Sequence, residues 1–349
     1  MPGDCNHFDI ILNNARALAG YEETTSSVDL VAWECISTHY REVELSCPNE
    51  KAVKIIIDWS PAIEYARKCE HLYSRSDEER IDVLSNNPDF FQRTVLCSAS
   101  IKFESDNPKR SPSDGSDLLQ QLLYEIYVVA NLSVPGCFNL YRSYIRAKGV
   151  NLDKDPFAQT EMGISEYFFE IAWHDSQEIS MLKLEFLPFA DVLNWYRGLQ
   201  IGFKQVAKET AEKAVFTLLH LGRTSFLEPE ATLWLARALE AMYETSPGGS
   251  FQLLNRRISA LFSLDNKQQA SIKKQLREFY NVRNSFAHGG GSICHPMANE
   301  RWDPLVDNVF GRTIECNNVA GRILLCSVQE LIRHGAVAFN FEERVSVVK

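Results

Sequence analysis

The chain has 349 residues, of which 45% are apolar, 11% aromatic and 23% charged, with a net charge of −10. That length exceeds the usual single domain and supplies ample apolar surface for a core, so two domains are expected. The acidic balance argues against a general nucleic-acid coat protein, and no apolar run approaches the roughly 20 residues needed to cross a bilayer.

Nine cysteines are scattered, odd in number and never spaced Cys-x-x-Cys. This argues against a disulfide framework or a zinc site and favours thiols used as small core residues. The start Met1-Pro2-Gly3-Asp4-Cys5 lacks the charged and apolar segments of a signal peptide. A cytoplasmic protein without metal, cofactor or membrane partner is therefore expected.

Residues 1–200 mix short strand-like and helical runs and read as an α+β domain. Val53–Trp59 and Thr94–Ile101 are short and β-rich, as buried strands are. Residues 104–117 have no periodicity and read as a mobile loop, with Asp117 capping a helix from Leu118 to about Ala130. Glu166–Trp173 and Met181–Phe186 read as the strands of a hairpin across His174–Gln177. None of this half converts into chemistry.

From about Gly202 the pattern is helical. Phe203–Leu221 reads as one helix, and Glu228-Pro229-Glu230 opens another, with Pro in the first turn and acids at the positive dipole end. That second helix runs to about Glu244, and residues 246–250 break the chain. Phe251–Leu264, Gln268–His288 and Asn317–Ala336 follow as helices, with an irregular stretch over 292–313. Short connections predict an all-α bundle of four or five helices over residues 201–349.

The most informative run is Arg283-Asn284-Ser285-Phe286-Ala287-His288, followed by Gly289-Gly290-Gly291. At about 100° per residue, Ile272, Leu276, Phe279, Val282 and Phe286 form an apolar stripe, with Arg283 inside its angular range. Asn284 and His288 share a face beside Arg283, and Tyr280 and Ala287 lie between that face and the stripe. A planar guanidinium, an amide and an imidazole near one point suit RNA cleavage without a metal. RNA brings its own nucleophile, the 2′-hydroxyl, so the protein supplies an acid/base and a cation for the developing phosphorane charge. His288 is the candidate acid/base, Arg283 the phosphate clamp, and Asn284 orients one or the other. Residues 251–290 carry seven lysines and arginines against Asp265 and Glu278. Arg256, Arg257, Lys273, Lys274 and Arg277 are the candidate RNA contacts in that segment.

The form Tyr280-x-x-Arg283-Asn284-x-x-x-His288-Gly289 resembles the HEPN superfamily (higher eukaryotes and prokaryotes nucleotide-binding), and within it the Apea-like branch. The family's mark is an Arg, four to six residues, then His. Leu233 to Tyr243 is similar to the "lWxxxEaLy" helix that precedes the motif helix in that branch. The resemblance covers roughly residues 203–340. It implies a metal-independent endoribonuclease acting as a homodimer through the bundle, with two motifs meeting at one composite site. It also implies a role as toxin or antiphage-defence effector, answering to a regulatory protein or a phage-derived trigger. Glu240, in the preceding helix, is placed near the motif helix, where it either pairs with Arg283 or belongs to an ordinary surface.

Other readings compete. Arg283 bonding a neighbouring helix and His288 capping its own would leave a scaffold for dimerisation or for nucleotide or RNA binding. An active site in residues 1–200 is a third reading. Cys294 and His295 are adjacent and so point apart in an extended loop, which makes them a poor catalytic pair.

Overall fold

The computed structural model describes residues 5–13, 21–46, 52–87, 90, 94–103, 112–150, 159–178, 181–225, 228–245, 251–295 and 297–342. The chain is α+β and divides into two compact units. One comprises Met1–Glu170 with Phe186–Phe189, the other Ile171–Glu185 with Ala190–Lys349. The expected boundary at residue 200 falls inside the second unit.

In the first unit the elements run β1 (Cys5–Asn13), α1 (Tyr21–Tyr40), β2 (Glu42–Leu45), β3 (Val53–Asp58), α2 (Ser60–Tyr73), α3 (Asp77–Asn86), β4 (Thr94–Phe103), α4 (Pro112–Ser133), β5 (Tyr144–Ala147) and β6 (Gln159–Glu161). The six strands form one sheet in the order β2-β3-β4-β1-β5-β6, antiparallel at every pairing. Period-two alternation sorts the faces. Val95, Cys97, Ala99 and Ile101 of β4 are buried, and their partners across the ladders, Leu12, Ile10 and Phe8 of β1 and Ile55 and Ile57 of β3, are buried with them. Leu96 and Ile56 face outward and are exposed. Trp33, Trp59 and Phe138 pack ring to ring within this unit at 5.2–6.4 Å between centroids.

Both expected strands, in β3 and β4, are present. The expected loop is not what residues 112–117 form: α4 starts at Pro112, so Asp117 lies inside a helix and caps nothing. Residues 104–111 lie outside the described residues. Proline is at home in a first helical turn, and Gly115 lets α4 approach β1, since a Cβ there would stand 2.5 Å from the Phe8 ring.

The expected hairpin over 166–186 is also corrected. Tyr167–Glu178 is a helix, α5, and no strand forms over residues 181–188. Phe168, Phe169, Ala172 and Ser176 are buried at the spacing of one helical face, and Glu170 is buried as well. That face outweighed the β-propensity of an aromatic-rich run.

In the second unit the described residues after 200 contain helices and no strand. Following α6 (Phe189–Gly198) come α7 (Thr210–Arg223), α8 (Pro229–Met242), α9 (Phe251–Leu261), α10 (Asn266–Ala287) and α11 (Leu305–Arg333). α8, α10 and α11 pack mutually, with α9 against α10 and α7 against α8. Their common core holds Leu235, Leu239, Ile272, Leu276, Phe279, Ile323 and Leu324, all buried. α8 begins at the expected Glu228-Pro229, and residues 246–250, the expected break, lie outside the described residues.

Two helices differ from expectation. α7 starts at Thr210, not Phe203, because Glu212 builds its N-terminus. The buried Glu212 carboxylate accepts from Lys204 Nζ at 2.7 Å, the Lys208 N–H at 2.9 Å and the Glu209 N–H at 3.2 Å. α11 starts at Leu305, well inside the stretch expected to be irregular, with Pro304 at its N-cap.

The hydrogen bond from Lys204, then that from the Lys208 amide, hold the Glu212 carboxyl down at about 2. An unfolded carboxyl titrates near 4.3, so the folded state favours the charged form. The stability this contributes is complete above the unfolded value and is lost as pH falls through about 2. Glu212→Gln is expected to lower the urea midpoint at pH 7, and the gap to wild type should narrow as pH falls below about 4. A gap independent of pH would contradict this.

Candidate functional site

The motif occupies the last turn of α10, a helix opened by an Asp265–Gln268 capping box. Its end is made by the three glycines. Gly289 takes a φ of +71°, and the N–H groups of Gly290 and Gly291 turn back to the Ser285 carbonyl at 2.8 and 3.0 Å. A left-handed residue at a helix end favours glycine, which carries no Cβ to clash. His288 sits at the C-cap with its N–H on the Asn284 carbonyl and its side chain exposed.

Four side chains gather one turn before His288. Arg283 Nη1 donates to Asn284 Oδ1 at 3.0 Å. Arg283 Nη2 lies 3.9 Å from Glu240 Oε1 on α8, and the Tyr280 hydroxyl donates to that same oxygen at 3.4 Å. Burial, then the Glu240 charge, push the Tyr280 phenol well above its ordinary value, so it serves as a donor and not as a base. The Arg283–Glu240 approach is too long for a hydrogen bond, and both side chains are about 30% exposed; a pair of this kind contributes little stability. Arg283 Nε is buried without a hydrogen-bond partner. The guanidinium is thus held in position while most of its five N–H donors stay unused.

Arg283, Asn284, Tyr280 and Glu240 are therefore brought together. His288 lies at the exposed end of the same helix, and among the described residues no hydrogen bond or ion pair ties its side chain to the other four. Of the expected RNA contacts, Arg256, Lys273, Lys274 and Arg277 are exposed on α9 and α10. Arg257 is engaged elsewhere: its Nη1 donates to the Tyr243 and Glu244 carbonyls at 2.5 and 3.1 Å, and its guanidinium lies 4.6 Å from the Phe341 ring.

Two features were not anticipated from sequence. The first is a pair of cavities beside the end of α10, of about 270 and 680 Å³, which share Ser292, Asn308 and Val309 and so form one groove. Ile293, Met297 and Trp302, large apolar residues in the segment 292–304 between the helices, were its only trace in the sequence. The second is Arg322 on α11, fully buried and ion-paired to Asp175 of α5. His295 does not face Cys294 as a catalytic partner, because its Nδ1 accepts the Met297 N–H at 3.0 Å. Among the described residues, no helix is long and apolar enough to cross a membrane. No family model matches the chain, and neither does any curated protein or solved structure.

Proposed function

We propose that the second unit is a HEPN-type helical bundle acting as a metal-independent endoribonuclease. The observation that carries this reading is the Arg283–Asn284 clasp on the last turn of α10, with unused guanidinium donors, one short step from an exposed histidine. Arg283 grips the scissile phosphate through its planar fork. A His288 imidazole takes the proton of the 2′-hydroxyl, whose oxygen attacks phosphorus. The bond to the 5′-oxygen breaks, and that oxygen receives a proton from the His288 of a second copy across a two-fold axis. The products are a 2′,3′-cyclic phosphate and a 5′-hydroxyl. Asn284, polarised by Arg283, orients the phosphate through its amide N–H groups. The homodimer, a role in the cytoplasm as toxin or antiphage effector, and a first unit that senses, recruits or restrains in answer to a regulatory protein or phage-derived trigger belong to the same proposal.

One observation favours a second reading, a non-catalytic scaffold for dimerisation or RNA binding: the nearest anionic neighbour of Arg283 is already in place in Glu240. Incubating purified protein with total RNA and with single-stranded DNA, with EDTA present, separates the two. RNA-only cleavage that survives EDTA and disappears in Arg283→Ala supports the nuclease. Cleavage lost with EDTA, or kept in Arg283→Ala, overturns it. RNA binding without cleavage, in a protein that dimerises, supports the scaffold.

A further inference from the structure

We infer that the groove after the motif helix is a nucleobase pocket, which receives an unstacked base of single-stranded RNA next to the cleavage site. The inference rests on the nuclease reading for its substrate and on separate residues for its site. The larger cavity, about 680 Å³, is bordered by Ile293, His295, Met297, Asn299, Trp302 and Asp303. That volume falls in the range of roughly 300–1,000 Å³ typical of small-ligand sites, which are largely apolar with a few convergent polar groups.

Each lining residue has a distinct part. Trp302 is 78% exposed, so its indole offers an open face to a flat ring, and stacking on an aromatic side chain is how single-stranded bases are usually held. Ile293, 88% exposed, and Met297, 71% exposed, supply apolar walls. His295 Nδ1 accepts the Met297 N–H, which places the ring proton on Nε2 and leaves that N–H to donate. Asn299 uses its Oδ1 on the Arg301 N–H and keeps its amide donors. Asp303 uses Oδ1 on the Leu305 N–H and keeps Oδ2 as an acceptor. Donors and an acceptor beside a stacking face match a base edge.

Among the described residues, the wall of the larger cavity holds no lysine or arginine, so it suits the base and not the phosphate. Phosphate-binding charge lies instead along α10, at Lys273, Lys274 and Arg277. Ser292, where the two cavities join, is four residues from His288. A chain that short spans at most about 14 Å, so the mouth of the groove at Ser292 and a phosphate at His288 lie within reach of one strand. A second copy of this chain seated on Trp302 is the rival occupant, and the test separates the two.

The experiment uses the full chain and fluorescein-labelled 2′-O-methyl oligonucleotides, which lack the nucleophile and are not cut. Affinity is read by anisotropy for wild type, Trp302→Ala and Trp302→Phe, and mass by light scattering. Trp302→Ala is expected to weaken binding by roughly 5- to 150-fold, the loss of one base–aromatic stack, with Trp302→Phe retaining most of the affinity. Trp302 is exposed, so both variants are expected to fold as wild type does, and a thermal melt checks it. Equal affinity in Trp302→Ala and wild type overturns the pocket. So does a fall in mass with RNA affinity unchanged, which assigns the face to a second copy. If Trp302→Ala weakens binding while wild type cuts no RNA, the pocket stands and the nuclease reading falls. If wild type cuts RNA and Trp302→Ala neither binds more weakly nor cuts more slowly, the pocket alone falls.

Discussion

Alanine at position 288 should lower the rate of RNA cleavage by about 10²–10⁴-fold, the usual loss when a general acid/base is removed. His288 is exposed at a helix end, so its replacement should cost no more than about 0.5 kcal/mol of stability. The contrast between lost activity and a preserved melting temperature is the readout, with single-turnover cleavage measured beside a thermal melt. A residual rate of one tenth would clear His288 of the role, and an inactive but unfolded variant would return it to a capping residue. Arg283→Lys is the informative companion. It keeps the charge but loses the planar fork, so it should fold normally and cut far more slowly than wild type.

The largest stability effect is expected at a pair remote from this chemistry. Arg322 is wholly buried on α11, its Nη1 engaged by Asp175, while its Nε and Nη2 make no hydrogen bond. Burial lowers the Arg322 pKa and, outweighing the guanidinium's pull, raises that of Asp175. Both directions record the cost of taking charge out of water. Removing one partner leaves the other uncompensated, so Asp175→Ala or Arg322→Ala should destabilise the protein by about 3–5 kcal/mol. Replacing both, as Asp175→Leu with Arg322→Met, should recover most of that loss. Urea unfolding of the four proteins checks it, and single variants as stable as wild type would contradict it.

What the sequence disclosed depended on how local the determinant was. The β-rich runs of β3 and β4, the Pro229 start of α8 and the glycine stop of α10 are written in neighbouring residues, and all were legible. Helix α5 was not, because Tyr167 to Trp173 carries β-prone aromatics whose helical face emerges only with Ser176 included. The start of α7 was missed because Phe203 and Val206 look helical, while the deciding group, Glu212, acts backwards on Lys204 and the Lys208 and Glu209 amides. In the site, Arg283 and Asn284 could be placed on one turn from spacing alone. The approach of Glu240 to Arg283 and the groove around Trp302 depend on tertiary packing, which spacing does not encode.

The engagement of Arg257 with the Tyr243 and Glu244 carbonyls bears on how RNA affinity should respond to ionic strength. A cation bound to backbone carbonyls and stacked on Phe341 releases no counterion from a nucleic acid. Of the five residues expected to meet the backbone, Arg256, Lys273, Lys274 and Arg277 are the surface set. Single strands lose affinity with a slope of about −0.7 per neutralised phosphate. With Arg283 added, a plot of log affinity against log salt should therefore be no steeper than about −3.5. Arg257→Gln should lower the melting temperature without changing that slope, whereas Lys274→Gln should flatten it at unchanged stability.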